Sequence, residues 1–253
     1  MQRSITYALL ITSFFLFYSC RNQYAKNTVE SRNQIVSDSF MPVDSQLVLS
    51  YLPYKQILEK DMLRVISVCA EEMVKDKPES GLTNFLADLL LIEGEKLLKI
   101  SGKDFKPDIS YFNYGGIRTF LPRGEITVGK IFELMPFENE IVFLQISGHQ
   151  VKEFLDQIAR GGGDSVGGVR FKISGNKATQ IWVGRKPINL DAKYWLVTND
   201  YIASGGDGDG VLSKRTGYFS PERKIRDVII SHLEYLYERG EVIAVKTDGR
   251  ISY

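Results

Sequence analysis

Residues 79–100 read ESGLTNFLADLLLIEGEKLLKI and carry the clearest helix pattern of the chain. Their apolar side chains recur close to the 3.6-residue period of an α-helix, and Ser80 is placed to cap the first turn. The stretch DISYFNYGGIR at residues 108–118 then changes to a short apolar strand that runs into two glycines. A long helix followed by a buried strand and a polar loop predicts a domain of mixed helices and strands.

The same criteria predict further elements on both sides of this pair. Upstream lie a helix at 46–58, which contains Pro53, and a strand at 63–70. Downstream, the predicted helices are 127–135, 149–159 and 222–239, and the predicted strands are 140–146, 169–173, 179–183, 193–198 and 242–246. Because regular strand–helix–strand crossovers are few, we expect an α+β fold, a single mixed α/β domain over residues 46–253.

Composition limits the chemistry that this chain can perform. Among 253 residues, 32 are Lys or Arg and 31 are Asp or Glu, which leaves a net charge of +1 and no basic field for nucleic acid. The two histidines, His149 and His232, lack metal-ligand spacing. A two-metal hydrolase site draws on several histidine and aspartate ligands. We therefore expect no metal site, no Ser-His-Asp triad and no catalytic residue in this chain.

The N-terminus is typical of an exported protein. Residues 1–19 form a predicted signal peptide, in which Arg3 precedes an uncharged run that ends at Cys20. A small residue directly before Cys20 is typical of a bacterial lipobox, so we expect a lipoprotein anchored through Cys20 at the periplasmic face of a membrane or at the cell surface. An uncleaved anchor and cleavage elsewhere are the alternatives. Residues 20–45 are polar and aperiodic and predict a tether.

The other thiol, Cys69, lies in the predicted strand 63–70. A disulfide with Cys20 is arithmetically possible. Acylation of Cys20 would leave Cys69 without a partner, and we then expect it to be a small buried apolar residue rather than a nucleophile.

The first of three loops suited to ligand contact is NYGGIR at 113–118. Asn113 offers both a donor and an acceptor, as recognition of a base or sugar edge requires. Gly115 and Gly116 let a ligand approach the backbone, and the guanidinium of Arg118 suits a phosphate. A plain tight turn with a surface arginine is the alternative.

The other two loops are PFEN at 136–139 and NDYIASGGDGDG at 199–210. Pro136 can direct Phe137 outward, although most phenylalanines lie in the core. Tyr201 can stack on a planar ring, and Asp207 can accept hydrogen bonds from two neighbouring hydroxyls of a ribose. A mobile hairpin loop is the alternative for this last segment, and a single glycine–aspartate copy is weak evidence for calcium binding.

Taken in order, these motifs resemble the C-terminal domain of the 5′-nucleotidase/UDP-sugar hydrolase family. The series comprises PESGLTNFLAD at 78–88, NYGGIR at 113–118, GEIT at 124–127, PFEN at 136–139, NDY at 199–201 and GGDG at 205–208. It covers about residues 46–245, nearly the whole predicted domain.

The resemblance implies a role for each matching residue. Phe137 and Tyr201 correspond to two rings that sandwich the base, and Asn113 to a base contact. Asp207 corresponds to the acid that binds the ribose, and Arg118 to an arginine that binds the phosphate. The glycines at 115, 116 and 206 belong to the same substrate-binding loops.

The sequence departs from the family pattern in three ways. Tyr201 stands where Phe is more usual, and stacking should survive that change. Asp76, between Lys75 and Lys77, stands where the family often has a second phosphate-binding arginine. Either lysine could substitute as a point charge, without the bidentate fork of an arginine. Family enzymes also precede this domain with a calcineurin-like metallophosphatase domain, whose G-N-H and D-x-H motifs are absent from the printed sequence.

We therefore expect the nucleotide-binding, substrate-recognition half of a 5′-nucleotidase-type phosphohydrolase in nucleotide catabolism. Its two divalent metals would be supplied by a separate metallophosphatase domain or chain, and we expect no cofactor in this chain. A non-catalytic nucleotide- or nucleoside-binding lipoprotein is the second hypothesis, and a purely structural domain is the third.

Overall fold

The computed structural model describes residues 44–208 and 210–253, and Ser50–Tyr253 forms one compact unit. The predicted signal peptide, Cys20 and residues 20–43 of the predicted tether lie outside the described residues, so those predictions stay predictions. Within the described ranges, no helix combines the length and the apolar character needed to cross a bilayer.

The helices are α1 (Ser45–Met62), α2 (Gly81–Ile100), α3 (Val128–Leu134), α4 (Gly148–Arg160), α5 (Asp200–Ala203) and α6 (Ile225–Glu238). The first five strands are β1 (Val65–Cys69), β2 (Ile109–Phe112), β3 (Gly124–Thr127), β4 (Ile141–Ser147) and β5 (Ser165–Gly167). The others are β6 (Val169–Ser174), β7 (Lys177–Val183), β8 (Lys186–Pro187), β9 (Lys193–Asn199), β10 (Gly217–Phe219) and β11 (Ile251–Ser252). The mixed helix and strand content agrees with the predicted fold class.

A five-stranded sheet, in the order β10-β4-β9-β2-β5, lies at the centre. Successive residues of a strand point to opposite faces, and in β4 both sets are buried. Ile141 and Phe143 belong to one apolar cluster, whereas Val142 and Leu144 belong to another. The central sheet is therefore covered on both faces.

The two covering layers differ. The cluster on one face joins the sheet to α2, α3, α6 and the two-stranded sheet β1-β3. The cluster on the other face joins it to α4 and the four-stranded sheet β11-β6-β7-β8. Because the central strands are held from both sides, the loops at their ends start from fixed positions.

Capping side chains set the starts of the helices that flank the sheet. The hydroxyl of Ser80 accepts the N–H of Thr83, and the N–H of Ser80 donates to the Thr83 hydroxyl, which closes a capping box. Thr127 caps α3 and Ser147 caps α4 in the same positions. The predicted caps Ser80 and Thr127 are thus confirmed.

The predicted strand at 242–246 is wrong. Ile243 makes one isolated parallel bridge to Cys69, and its neighbours do not extend it into a ladder. The strand in this part of the chain is β11, which pairs in parallel with β6 through Ile251 and Phe171. The strands β3, β5, β8 and β10 were not predicted, because two to four residues carry too little alternation to detect.

Candidate functional site

Strand pairing brings the three ligand-contact loops together. β2 and β9 are parallel, with Ile109 opposite Leu196, so their carboxyl ends meet at one edge of the central sheet. β4 is antiparallel to β9, with Ile141 opposite Asn199, so the loop that precedes β4 reaches the same edge. The loop after β2, the loop before β4 and the loop after β9 therefore converge.

A cleft of about 290 Å³ opens between these loops. It is lined by Asn113, Gly115, Gly116, Arg118, Phe137, Asn139, Tyr201 and Asp207. Seven of the eight ligand-contact residues predicted from the sequence are in this lining, and the eighth, Gly206, packs against the ring of Tyr201. Asn139 is an addition, since the sequence pattern placed it in a motif but not in the site.

Asn113 connects the loop after β2 to the loop after β9. Its side chain is 5% exposed, its Nδ2 donates to Asp207 Oδ2 at 2.9 Å, and its Oδ1 accepts from Asn199 Nδ2 at 3.1 Å. A Cβ at position 116 would lie 2.9 Å from Asn113 Oδ1, so any other residue there would displace the Asn113 amide.

Lys75 braces the first loop from outside the cleft, and Lys77 lies beside that loop, 5.0 Å from the centroid of the Tyr114 ring. Lys75 Nζ donates to the carbonyl oxygens of Tyr114 at 3.1 Å and Ile117 at 2.6 Å, and it lies 4.3 Å from the centroid of the Tyr114 ring. Burial lowers the pKa of Lys75, and the positive charge of Arg118 adds to the effect. Lys77 Nζ donates to the carbonyl of Gly161 at 2.5 Å. Both ammonium groups thus donate hydrogen bonds to backbone carbonyls, and neither lysine lines the cleft.

Arg118 stands exposed at the edge of the cleft. One of its Nη atoms donates to the carbonyl of Gly115 at 3.2 Å, and its guanidinium carbon lies 5.9 Å from the centroid of the Phe137 ring. A guanidinium carries five N–H donors, so this single hydrogen bond leaves most of the exposed fork accessible to an anion.

Phe137 is 41% exposed, so the alternative of a core phenylalanine is wrong. Its loop is held from behind by Arg226 of α6, which donates to the carbonyls of Met135 at 3.3 Å and Phe137 at 3.4 Å and forms an ion pair with Glu138. Lys224 and Arg226 together lower the pKa of Glu138 to about 2.

Arg226 was not predicted from the sequence. The sequence feature that could have identified it is a charged residue within an otherwise apolar helix. In the structure Arg226 is 5% exposed. Such a residue needs polar partners from another element, because an unpaired buried charge is costly. The carbonyls of the Phe137 loop are those partners.

The loop after β9 is not a hairpin, because the next strand, β10, pairs with β4. It starts with α5, which Asn199 caps by accepting the N–H of Ile202 at 2.8 Å. A Cβ at position 206 would lie 2.4 Å from the ring of Tyr201, so Gly206 is needed where this ring packs on the loop. Asp207 follows in the left-handed region with φ of 56°.

Asp164 lies beneath the first loop. Its carboxylate accepts the N–H of Ser165 at 2.7 Å, the hydroxyl of Tyr111 at 3.1 Å and a backbone hydrogen bond from Tyr114. Burial raises the pKa of Asp164 to about 6, against the opposing effect of these hydrogen bonds and of Lys77.

The described residues offer no grouping of three or more His, Cys, Asp and Glu side chains suited to a metal ion. The buried His232 Nδ1 lies 2.7 Å from Glu93 Oε1, and His149 is exposed in the first turn of α4. Cys69 is a free, buried cysteine whose pKa is raised to about 11 by burial, as suits an apolar packing role rather than a nucleophile.

Sequence comparison agrees with the motif series. The family described as 5′-nucleotidase, C-terminal domain, matches residues 64–214. The 5′-nucleotidase of Vibrio parahaemolyticus is 30% identical over 136 residues, which are 50% of this chain and 24% of that protein. The trifunctional nucleotide phosphoesterase protein YfkN of Bacillus subtilis is 28% identical over 201 residues, 71% of this chain and 13% of that protein. The chain thus spans a quarter or less of these relatives.

Structural comparison gives the same result. The 5′-nucleotidase precursor from Thermus thermophilus superposes with a TM-score of 0.66 and 26% identity, over 83% of this chain and 43% of that one. The NAD nucleotidase of Haemophilus influenzae shares the fold with a TM-score of 0.61 at 17% identity, over 83% of this chain and 42% of that one.

Proposed function

This chain belongs to the 5′-nucleotidase C-terminal domain family, and from that premise we propose that its cleft binds the base and ribose of a nucleotide. In this proposal the chain is the substrate-recognition half of a 5′-nucleotidase-type phosphohydrolase in nucleotide catabolism. A separate metallophosphatase domain or chain supplies the two divalent metals and the catalytic groups.

The observation that carries the proposal is the convergence of matching chemistry in one cleft. Two half-exposed rings, Phe137 and Tyr201, are available for stacking on a planar base. Asn113 and Asp207 lie hydrogen-bonded to each other in the same lining, and Arg118 stands at the edge, where a phosphate would project. Stacking on an aromatic ring is worth about 1–3 kcal/mol per base.

The metals are assigned to a separate domain or chain because the described residues do not fit them. They hold no cluster of metal-ligating side chains, and the one buried histidine among them, His232, is tied to Glu93. This chain contributes positioning. By binding the base and ribose, it holds the phosphate at a fixed distance from the catalytic groups, so the two need not meet by diffusion. No residue of the described part acts as the general acid or base in this proposal.

The experiment is phosphate release from AMP by the purified chain, measured with and without a candidate metallophosphatase partner and divalent metal. We expect release only when partner and metal are both present, and we expect a chelator to abolish it. Release by the chain alone that persists in chelator would contradict the assignment of catalysis to a partner.

We further propose that the chain is exported and held at a membrane surface by a lipid on Cys20, at the periplasmic face or the cell surface. The support is the lipobox-like run that ends at Cys20. Incorporation of labelled palmitate into the wild type, and its loss in Cys20→Ser, is the expected result. Equal labelling of both proteins would contradict it.

The second hypothesis, a nucleotide- or nucleoside-binding lipoprotein without an enzymatic role, is favoured by a cleft that is formed within this chain alone. Calorimetry with AMP, adenosine and UDP-glucose separates the two. Tight binding in the absence of any partner supports the second hypothesis. Weak binding that a metallophosphatase partner strengthens supports the first.

A further inference from the structure

The hydroxyl of Tyr201 is tied to the loop that carries Asp207. It donates to Asp207 Oδ1 at 3.0 Å and accepts the backbone N–H of Asp207 at 3.2 Å. A phenylalanine, the more usual residue at this position of the family pattern, would keep the ring and make neither hydrogen bond. The hydroxyl therefore has a role separable from stacking.

These two hydrogen bonds hold Asp207 in an unusual conformation. Its φ of 56° lies in the left-handed region, which a residue with a side chain adopts only at an energetic cost. Gly206 lets the Tyr201 ring pack on the loop, because any Cβ there would meet the ring. The ring and the carboxylate are thus joined by direct hydrogen bonds.

The carboxylate of Asp207 is also oriented from its other oxygen. Asn113 Nδ2 donates to Oδ2 at 2.9 Å, while Tyr201 donates to Oδ1. An ionised carboxylate offers about four acceptor positions, so roughly one stays free on each oxygen. A fixed carboxylate with two free acceptor positions suits a sugar with two adjacent hydroxyls better than a sugar with a single hydroxyl.

We propose that the Tyr201 hydroxyl determines sugar specificity, by fixing Asp207 for a vicinal diol and so favouring ribonucleosides over 2′-deoxyribonucleosides. The inference rests on the proposed nucleotide binding and adds the sugar class to it. Tyr201 is in this respect a positioning residue, because its hydroxyl acts on the sugar through Asp207. Without the Tyr201 hydroxyl, the Asp207 carboxylate can rotate or bind water. The 2′-hydroxyl of a ribose then contributes less to binding than it does in the wild type.

The test is binding of adenosine and 2′-deoxyadenosine to the full chain, by calorimetry, for the wild type, Tyr201→Phe and Tyr54→Phe. We expect Tyr201→Phe to weaken the affinity for adenosine roughly 5- to 10-fold, which is the size of effect expected for the loss of a hydrogen bond to a charged group. We expect the affinity for 2′-deoxyadenosine to change by less than about 2-fold, since the stacking ring is kept. Tyr54 is 75% exposed on α1 and outside the cleft lining, so its variant should match the wild type.

The outcomes separate the two proposals. If neither nucleoside binds the wild type, the proposed function and this inference both fail. If both bind and Tyr201→Phe leaves their affinity ratio unchanged, only the inference fails. Tighter adenosine binding by Tyr201→Phe would also overturn it, because the hydroxyl would then be competing with the ribose.

Discussion

At the scale of single residues, Asn113 links two of the loops that form the cleft. Both ends of its amide are hydrogen-bonded within the protein, to Asp207 and to Asn199. An amide has two donor hydrogens and two acceptor lone pairs, so one of each stays available for a base edge. The residue implied as a base contact is thus also the residue that orients the predicted ribose-binding acid.

Gly116→Ala and Gly115→Ala give a matched pair on this loop. The added Cβ lies 2.9 Å from Asn113 Oδ1 at position 116 and 3.8 Å from Asn113 Nδ2 at position 115, which is ordinary contact. We expect Gly116→Ala to displace the Asn113 amide and weaken adenosine binding by about 10-fold or more, or roughly 1.4 kcal/mol. Gly115→Ala should bind within about 2-fold of the wild type. Calorimetry measures both, and equal losses would show that the contact at position 116 is not the cause.

Asp164 gives a pH prediction. Its pKa is raised to about 6 from an ordinary value of 3.8, so the folded state binds the proton more tightly than the unfolded state. Its contribution to stability is therefore fully present below pH 3.8 and is lost as the pH rises through 6. The loss is on the order of 2–3 kcal/mol by linkage.

We expect Asp164→Asn to remove this pH dependence, since the amide does not ionise. Its destabilisation relative to the wild type should be largest near pH 4 and should shrink toward pH 7. Urea unfolding at a series of pH values measures the difference. A difference that is constant between pH 4 and pH 7 would contradict the raised pKa.

At the scale of elements, sequence patterns predicted long segments well and their associations poorly. Helices α2, α3 and α4 were predicted to within two residues at each end, because each has a marked apolar period and a Ser or Thr cap. The convergence of three loops depends instead on the parallel pairing of β2 with β9, which are separated by more than eighty residues. No local pattern encodes such a pairing.

The association of α6 with the Phe137 loop gives an element-scale prediction. In Arg226→Met, an unbranched side chain is kept, but the guanidinium is lost, whose carbon lies 4.0 Å from the centroid of the Phe132 ring and which donates to the carbonyls of Met135 and Phe137. We expect a loss of about 2 kcal/mol in the free energy of unfolding and a roughly 3- to 10-fold weaker adenosine affinity, because Phe137 loses its support.

Lys224→Met is the control for this variant. Lys224 also pairs with Glu138, but it is exposed and does not bond the loop carbonyls. We expect the Lys224→Met variant to leave the free energy of unfolding and adenosine binding close to those of the wild type, because an exposed ion pair contributes little. Equal effects of the two variants in urea unfolding and calorimetry would assign the result to Glu138 rather than to the Phe137 loop.

At the scale of the whole molecule, the cleft sits at the edge of a sheet that has an apolar cluster on each face. The ordered motifs predicted seven of the eight residues that line the cleft and missed Asn139. They did not predict Arg226, Lys75 or the bond between Tyr201 and Asp207, because each depends on an approach between distant segments or on the conformation of a loop. The motifs thus indicate most of the cleft lining, and the contacts that hold these residues in place become visible only in the fold.

Arg250 and β11 attach a distant segment to this framework. Arg250 donates two hydrogen bonds to the Asp88 carboxylate, at 2.7 and 2.8 Å, and one to the Val166 carbonyl, and Ile251 is 2% exposed. We expect removal of residues 251–253 to lower the free energy of unfolding by about 2–4 kcal/mol, from lost burial and lost pairing with β6.

Removal of residue 253 alone is the matched control, because Tyr253 is 74% exposed. Its effect should stay below about 0.5 kcal/mol. Urea unfolding of both truncated chains measures the contrast. Similar losses in the two would show that β11 contributes little to the sheet.

The pairing of β11 with β6 also sets when the domain can form during synthesis. Phe171 is opposite Ile251, and the bridge of Cys69 to Ile243 joins residues even further apart along the chain. A nascent chain holds its earlier strands for many seconds before these partners leave the ribosome. We therefore expect the four-stranded sheet to be completed only after translation of residue 252, so that the unpaired edge of β6 is exposed to chaperones until then.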